Sequence, residues 1–178
     1  MDTKRKLLGE ERRLQLLQIL QSSDRPITGS ELSKQANVSR QVIVSDITLL
    51  KARNEPIIAT SQGYLYMHTA NKTQNYERTV ACHHEPSRTE EELNLLVDIG
   101  VTVKNVSIEH PIYGDLTASI MVSSRKDVQQ FLTKMSETNA SYLLELTDGI
   151  HLHTLSASSE ELLDEAEAVL KKANILVE

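Results

Sequence analysis

The sequence predicts an α+β protein in two parts: a small helical part closed by a β-hairpin, then a larger part of layered strands and helices. Two observations predict this order. Apolar residues recur at helical spacing up to about residue 53, and short β-rich runs begin at residue 56. The charge also divides along the chain, with 10 basic and 7 acidic residues in 1–70, a net of +3, and 9 basic and 18 acidic in 71–178, a net of −9. We therefore predict two domains, 1–70 and 71–178.

Composition excludes several classes of protein. With 39% hydrophobic and 25% charged residues the chain is typical of globular proteins. No apolar run approaches the roughly 20 residues that span a bilayer, and the N-terminus lacks the apolar stretch of a secretory signal. Cys82 is the single cysteine, so no intrachain disulfide can form. These features predict a cytoplasmic protein with no membrane partner.

The first two helices are short. Leu14, Leu17 and Leu20 recur at helical spacing within residues 10–22, behind a charged first turn. After a turn, Thr28 stands three residues before Glu31, which predicts a capping box and a second helix to about residue 36. Residues 36–39 then form a tight corner, with a serine to cap the next helix.

The third helix, from Arg40 to about residue 53, has two distinct faces. Ile43, Ile47 and Leu50 would pack inward. The opposite stripe combines cations with amide and hydroxyl groups: Arg40, Val44, Thr48 and Lys51, with Gln41 and Ser45 beside them. A recognition helix lying in a DNA major groove needs such a face. The alternative is a three-helix cluster with an ordinary polar surface.

The next segment favours the DNA-binding interpretation. Residues 56–60 and 64–67 are β-rich and are separated by a turn-like Ser-Gln-Gly, so a hairpin follows the three helices, as in a winged helix. Residues 10–68 resemble the winged helix-turn-helix of biotin-dependent repressors, including the S-R-x-x-I opening of the third helix and a wing that ends in G-Y. The candidate DNA-contacting residues are Ser39, Arg40, Gln41, Ser45 and Lys51 on the helix and Thr60, Ser61 and Gln62 on the wing.

The C-terminal part alternates between strands and helices after a polar linker at residues 71–76. Strands are predicted at 78–82, 101–109, 115–122, 142–146 and 150–155, and helices at 89–99, 125–137 and 158–173. The last helix carries its leucines on one side, as expected of a helix lying on a sheet. The prediction is an α/β layered regulatory domain.

Histidines are concentrated in the acidic part, which holds five of the six. Because a strand has a period of two, His151 and His153 would project to one side and Ile150 and Leu152 to the other. Two imidazoles so placed can bind one transition metal. The alternative is a solvated strand face that happens to carry histidine.

Glu92 is the carboxylate predicted to face the sheet. It lies within about 40° of the apolar direction of its helix, whereas Glu90 and Glu91 point away. A buried carboxylate needs a cation or a metal as partner. His84, in the loop before this helix, could reach the same place, which would combine three nitrogens and one oxygen, a ligand set suited to zinc or nickel. The alternative is local pairing of Glu92 with Arg88.

Three motifs of the acidic part resemble the three-histidine (3H) domain: C-H-H-E-P-x-x-x-x-E-E-E-L, E-H-P-I-Y-G-D-L and G-I-H-L-H-T-L. Joined to a winged helix-turn-helix, that domain is typical of nicotinate-responsive repressors of NAD biosynthesis and niacin transport genes. The resemblance implies one divalent transition metal per chain, nickel or zinc, at His84, Glu92, His151 and His153, with nicotinic acid as co-repressor. His110 is similar to a further histidine of the family, which either binds effector or shapes its loop.

The resulting expectation is a homodimeric repressor of NAD de novo biosynthesis and niacin uptake genes. Nicotinate would favour a DNA-competent spacing of the two winged helices, and two-fold symmetry predicts a palindromic operator. The alternative is a metal-responsive regulator in which the ion is the signal. A metal-dependent hydrolase is disfavoured, because four protein ligands leave a tetrahedral zinc no open position and the chain has no nucleophile elbow, P-loop or dinucleotide fingerprint.

Overall fold

The computed structural model describes residues 9–68 and 75–177, and it divides into two compact units, Met1–Asn71 and Lys72–Glu178. The predicted boundary between residues 70 and 71 and most of the predicted linker at 71–76 lie outside the described residues. Among the residues that are described, no helix is long and apolar enough to cross a membrane.

The N-terminal unit consists of three helices and a hairpin, as predicted. The helices are α1 (Gly9–Gln21), α2 (Gly29–Ala36) and α3 (Arg40–Ala52), and the antiparallel strands are β1 (Ile57–Thr60) and β2 (Gly63–Tyr66). The capping box of Thr28 and Glu31 is present at the start of α2. Asn37 then takes a left-handed conformation with φ of 52°, which turns the chain into α3. Apolar residues of all five elements share one core, including Leu16, Leu32, Ile43, Ile47 and Ile57.

The hairpin is tied to the segment before α2. Ile27 and Tyr64 exchange two backbone hydrogen bonds of 2.9 and 2.8 Å, so residue 27 extends the hairpin by one bridge. Gly63 makes this approach possible, because its φ is 138° and a Cβ there would lie 2.5 Å from the Ile27 carbonyl oxygen. The glycine of the wing motif therefore fixes the wing against the helices.

The C-terminal unit is a four-stranded antiparallel sheet with helices on one face. The strands are β3 (Tyr76–His83), β4 (Thr102–His110), β5 (Gly114–Val122) and β6 (Ile150–Ala157), in the order β3-β6-β4-β5. Helices α4 (Thr89–Asp98), α5 (Arg125–Thr138) and α6 (Glu160–Lys172) enclose the core with the inner face of the sheet. The α+β prediction is confirmed.

One predicted strand is wrong. Residues 142–146 are not extended: Leu143–Thr147 forms a 3₁₀ helix. Glu145 caps it by accepting a 2.7 Å hydrogen bond from the Tyr142 amide, and Asp148 ends it with φ of 50°. A strand here would also have no partner next to β6, since β3 and β4 already occupy both edges of β6.

Candidate metal centre and nucleic-acid interface

The buried centre of the C-terminal unit is Glu92, at the start of α4 and 1% exposed. Three imidazoles surround its carboxylate. The Nε2 atoms of His84 and His153 lie 2.8 and 3.3 Å from Oε2, and that of His151 lies 3.2 Å from Oε1. The structure thus brings together all four residues that the sequence predicts as metal ligands.

Strand β6, an inner strand of the sheet, supplies two of the three imidazoles because alternate residues of a strand face the same side. His151 and His153 both face the helices and are buried, while Ile150 and Leu152 on the outer face are 56% and 41% exposed. The period-two prediction is confirmed, and the solvated-face alternative is excluded.

Gly149 holds His84 in place beside β6. The His84 amide donates to the Gly149 carbonyl at 3.3 Å. Gly149 has φ of 92°, and a Cβ at this position would lie 2.6 Å from the His84 carbonyl oxygen. The glycine that opens the G-I-H-L-H motif therefore permits the close approach of the two histidine-bearing segments.

Backbone carbonyl groups on the far side of each ring fix the tautomers of the three imidazoles. Each Nδ1 lies within hydrogen-bond distance of a backbone carbonyl oxygen: His84 with Glu85 at 2.8 Å, His151 with Gly149 at 2.9 Å and His153 with Asn105 at 2.6 Å. A carbonyl oxygen only accepts, so each Nδ1 carries the proton and donates it. In the neutral imidazoles, every Nε2 therefore points a lone pair at the centre, which is the arrangement of metal-binding histidines.

Charge in the cluster is strongly coupled. Burial raises the pKa of the Glu92 carboxyl, but the charge of His153 and the hydrogen bonds from the imidazoles outweigh it and hold this pKa well below its usual value. Burial lowers the pKa of His84 and His153, but the nearby Glu92 carboxylate outweighs it and raises both. The site thus favours positive charge around one carboxylate, which imidazolium protons or a divalent cation can supply.

These residues fit a divalent transition metal. Three imidazole nitrogens with fixed orientation and one carboxylate are ligands that zinc and nickel accept. The cluster is buried, and each imidazole has the backbone partner that typically orients a ligand.

Cys82 is a further member of the centre that sequence reasoning missed. Its Sγ, a Glu92 carboxylate oxygen and a His151 imidazole nitrogen all lie within 4.8 Å of one another. Cys82 pairs with His151 across β3 and β6, on the same inner face. Burial raises the pKa of the thiol, and the Glu92 charge raises it further, so the thiol stays protonated without a metal. Strand parity was the available signal, since Cys82 has the same parity as the buried Val80.

Two neighbours of the cluster have other contacts. Arg88 forms an ion pair with Glu91 at 2.8 Å, so the alternative pairing with Glu92 is not observed. His83 lies on the exposed side of its strand, with its Nε2 3.1 Å from the Asp148 carbonyl oxygen, so the second histidine of the doublet is the one in the cluster.

His110 lies at the β4–β5 hairpin and helps to shape it. Its Nδ1 accepts hydrogen bonds from the amides of Ile112 and Tyr113 at 3.2 and 3.3 Å. Its ring also lies 4.9 Å from the Tyr113 ring. These contacts support the loop-shaping role, and an effector contact by His110 stays a prediction.

A cavity of about 190 Å³ adjoins the cluster. Glu92, His151 and His153 form part of its wall, together with Thr89 at the start of α4. Its other lining residues are mostly apolar or aromatic: Leu93, Val106, Ala118, Ile120, Phe131, Met135, Ser141, Tyr142, Leu143 and Leu144. The 3₁₀ helix that replaces the predicted strand thus contributes directly to this wall.

The predicted DNA-contacting face of α3 lies at the surface. Arg40, Gln41, Ser45 and Lys51 are exposed, whereas the inward residues of the helix are buried. Ser39 is exposed and caps the helix, its Oγ accepting from the Val42 amide at 3.4 Å. A recognition helix needs this polar, partly cationic surface.

The predicted wing residues are half-buried and are engaged in their own turn. Thr60 Oγ1 donates to the Gly63 carbonyl at 2.9 Å and accepts from the Gln62 amide at 3.1 Å. Gln62 Nε2 donates to Ser61 Oγ at 3.0 Å. These contacts order the tip of the wing, and DNA contact by its side chains stays a prediction.

Two features of the N-terminal unit were not foreseen from the sequence. Lys34 and Arg12 line an open groove together with Ser39, which adds cations beside the start of α3. Asp46 is buried on the inward side of α3 and pairs with Arg12 and Arg13 of α1. A carboxylate inside an apolar stripe signals such a pair, but the sequence does not reveal its partner.

Comparison with known proteins agrees with this architecture. The helix-turn-helix (HTH) domain family matches residues 12–65, and the 3H domain family matches residues 77–178. The chain is similar to the transcription repressor NadR of Bacillus subtilis (strain 168), with 61% identity over 173 residues, 97% of this chain and 96% of that protein. It is also similar to the probable transcription repressor NiaR of Thermotoga maritima, with 37% identity over 97% of each chain.

The fold and these matches define the class of protein: a transcription regulator that joins a DNA-binding winged helix to a 3H domain, and not an enzyme. The chain belongs to the family of 3H-domain transcription repressors.

Proposed function

We propose that this protein is a cytoplasmic repressor of NAD de novo biosynthesis and niacin uptake genes, with nicotinic acid as its co-repressor. It binds a palindromic operator as a homodimer. Each regulatory domain holds one divalent transition metal, nickel or zinc, at His84, Glu92, His151 and His153. The observation that carries the proposal is the convergence of three backbone-oriented imidazoles on one buried carboxylate beside an apolar cavity.

The chain's own residues have distinct roles in this mechanism. The backbone carbonyls of Glu85, Gly149 and Asn105 keep each Nδ1 protonated, so that the Nε2 atoms face inward. The bound metal supplies a local positive charge that can attract a carboxylate effector within an acidic domain. The apolar wall of the cavity excludes water from one side of the same centre.

Coupling between the domains follows from linkage. Nicotinate acts as a co-repressor only if it binds the DNA-competent state more tightly than the other state. On the DNA side, the exposed stripe of α3 supplies the operator contacts, with Arg40 and Gln41 at its first turn.

The cavity favours this proposal over a regulator that senses the ion alone, because binding of an ion requires no apolar cavity beside its ligands. A metal titration at fixed nicotinate separates the two. If the metal is a permanent cofactor, one equivalent per chain added to metal-free protein should restore operator binding, and further metal should have no effect. A graded response to free metal with no effect of nicotinate would support the metal sensor instead.

The direct test is operator binding by the metal-loaded protein, followed by fluorescence anisotropy. The probe is DNA from the upstream regions of the host's NAD-biosynthesis and niacin-uptake genes, and DNA upstream of an unrelated gene is the control. Nicotinic acid should raise affinity for the first DNA and leave the second unchanged. Equal affinity with and without nicotinic acid would contradict the co-repressor role.

A further inference from the structure

An open groove in the N-terminal unit lies beside the predicted recognition helix. It is lined by residues of α1, the end of α2, the following turn and the start of α3. Arg12 and Lys34 are the two cations among the described residues that line it, and none of those lining residues is acidic. Asn37 and Ser39 add an amide and a hydroxyl. Cations and hydrogen-bond donors together are the groups with which proteins hold a DNA phosphate.

The groove and the cations of α3 lie on opposite flanks of that helix. At about 100° per residue, Gln41 and Ser45 lie opposite the buried side of α3, and both are exposed. Lys51 falls on one flank of this outward face, whereas Val42, which lines the groove, falls on the other. A helix in a major groove has one sugar-phosphate backbone on each side, so each flank would face a different strand.

An ion-pair network holds Arg12 at the groove and keeps a surplus of positive charge there. Arg12 and Arg13 share the carboxylate of Asp46. Glu10 pairs with both Arg13 and Arg53. Three guanidinium groups thus share two carboxylates, which leaves one net positive charge. Because Asp46 orders the Arg12 side chain, an incoming phosphate would meet a cation that is already in place.

Lys34 is exposed on α2, and the acid of the same helix is directed away from the groove. Glu31 lies one turn before Lys34 and does not line the groove. Its Oε2 accepts hydrogen bonds from the amide and the hydroxyl of Thr28, at 2.8 and 2.7 Å. The Glu31 carboxylate therefore faces the start of α2, and the Lys34 charge adds to that of the Arg12 network.

We propose that this groove binds a phosphate of the DNA backbone through Lys34 and Arg12, on the strand opposite to the one that faces Lys51. The inference rests on the proposed operator binding and adds a contact by α1 and α2 that positions α3 in the major groove. A phosphate contact fixes the register of a protein on the duplex but does not read the base sequence. The contact therefore forms on operator and nonspecific DNA alike.

The test is Lys34→Gln in the full-length, metal-loaded protein. Fluorescence anisotropy measures affinity at several salt concentrations for two probes, a DNA from upstream of the host's NAD-biosynthesis genes and a DNA of random sequence. At low salt, affinity for both probes should fall by the same factor, roughly three- to tenfold. The slope of the logarithm of affinity against the logarithm of salt concentration should become shallower by about one, the loss of one phosphate contact.

Two further variants test the specificity and the placement of this contact. Lys126→Gln is the matched control, because Lys126 is an exposed lysine at the start of α5 in the C-terminal unit, and it should leave affinity and slope unchanged. The double variant Lys34→Gln with Lys51→Gln should reduce the slope by about two, since the lysines lie on separate flanks. A double variant that loses no more slope than Lys34→Gln alone would overturn the placement on two strands.

The outcomes separate this inference from the proposed function. An unchanged slope in Lys34→Gln would overturn the phosphate contact, and so would a loss of affinity confined to the operator probe. An operator affinity of the parent protein that nicotinic acid leaves unchanged would contradict the co-repressor role, but a reduced slope on random DNA would still support the groove. A parent protein that binds neither probe would contradict both.

Discussion

At the scale of single residues, the centre depends on which imidazole nitrogen faces inward. For His84, His151 and His153 it is Nε2, because a backbone carbonyl oxygen accepts a hydrogen bond from each Nδ1. The sequence predicts His151 and His153 from strand parity and Glu92 from helix phase, and it adds His84 from its place before α4 and from the resemblance to the 3H domain. It does not predict the carbonyl partners or the neighbouring Cys82, because both depend on the register of β6 against strands that are distant in sequence.

The adjacent histidines His83 and His84 offer a matched test of metal binding at the buried centre. His84→Ala should lose most bound metal, because it removes one of four ligands, whereas His83→Ala should retain it, because His83 lies on the exposed side of β3. Elemental analysis of the purified proteins measures the metal per chain. The double change His151→Ala with His153→Ala should also abolish binding, and retained metal in that protein would show that the site is wrong.

At the scale of elements, α3 performs two tasks with its two faces. Ile43, Ile47 and Leu50 fix it in the core, and Arg40 and Gln41 are exposed on its first turn. The sequence predicts both faces from a period of 3.6 residues. The predicted strand at 142–146 is wrong because apolar residues alone do not show where a strand would pair: β3 and β4 already flank β6, so the sheet has no place for another strand beside it.

The exposed face of α3 predicts a selective loss of operator binding. Arg40→Ala should weaken operator affinity by about tenfold or more, since a contact of this kind contributes roughly 1–3 kcal/mol. Arg125→Ala is the control, because this arginine pairs with Asp98 on the surface of the C-terminal unit. Anisotropy with labelled operator measures both, and equal affinities in the two variants would remove Arg40 from the interface.

The buried ion pair behind α3 predicts a loss of stability. Asp46→Asn keeps the shape of the side chain but leaves Arg12 and Arg13 without their shared carboxylate. Because both arginines are partly exposed, we expect a loss of about 1–3 kcal/mol in the free energy of unfolding, less than for a fully buried pair. Urea unfolding checks this.

The control for Asp46 is Arg53→Gln, which breaks the exposed ion pair between Arg53 and Glu10 and leaves both arginine partners of Asp46 in place. Its effect should be small, because water screens exposed charges. Equal effects of the two substitutions would mean that burial of Asp46 contributes nothing to its role.

At the scale of the whole molecule, the charge is unevenly divided along the chain: residues 1–70 carry a net charge of +3 and residues 71–178 carry −9. The net charge of −6 alone would argue against DNA binding, and only the division of the chain reveals the basic part. The low positive charge of residues 1–70 and the negative charge of residues 71–178 give little nonspecific attraction for DNA. In the proposed function, contacts with operator bases and the binding of effector therefore contribute more of the binding free energy.

This charge distribution predicts that binding to nonspecific DNA is weak and depends only modestly on the salt concentration. The logarithm of the association constant should fall linearly with the logarithm of the salt concentration. The slope should be small, because few phosphate contacts are made. Anisotropy with a DNA of random sequence measures the slope. A steep slope is typical of many phosphate contacts, and it would show that nonspecific electrostatic attraction contributes much of the DNA affinity.

The proposed function requires that the effector site and the DNA-binding surface share one conformational equilibrium. Its most direct test is the affinity of the metal-loaded protein for nicotinic acid, measured by calorimetry with and without saturating operator DNA. Linkage requires operator to raise nicotinic acid affinity by the same factor by which nicotinic acid raises operator affinity. We expect two equal factors well above one, and a nicotinic acid affinity that operator DNA leaves unchanged would contradict the proposed function.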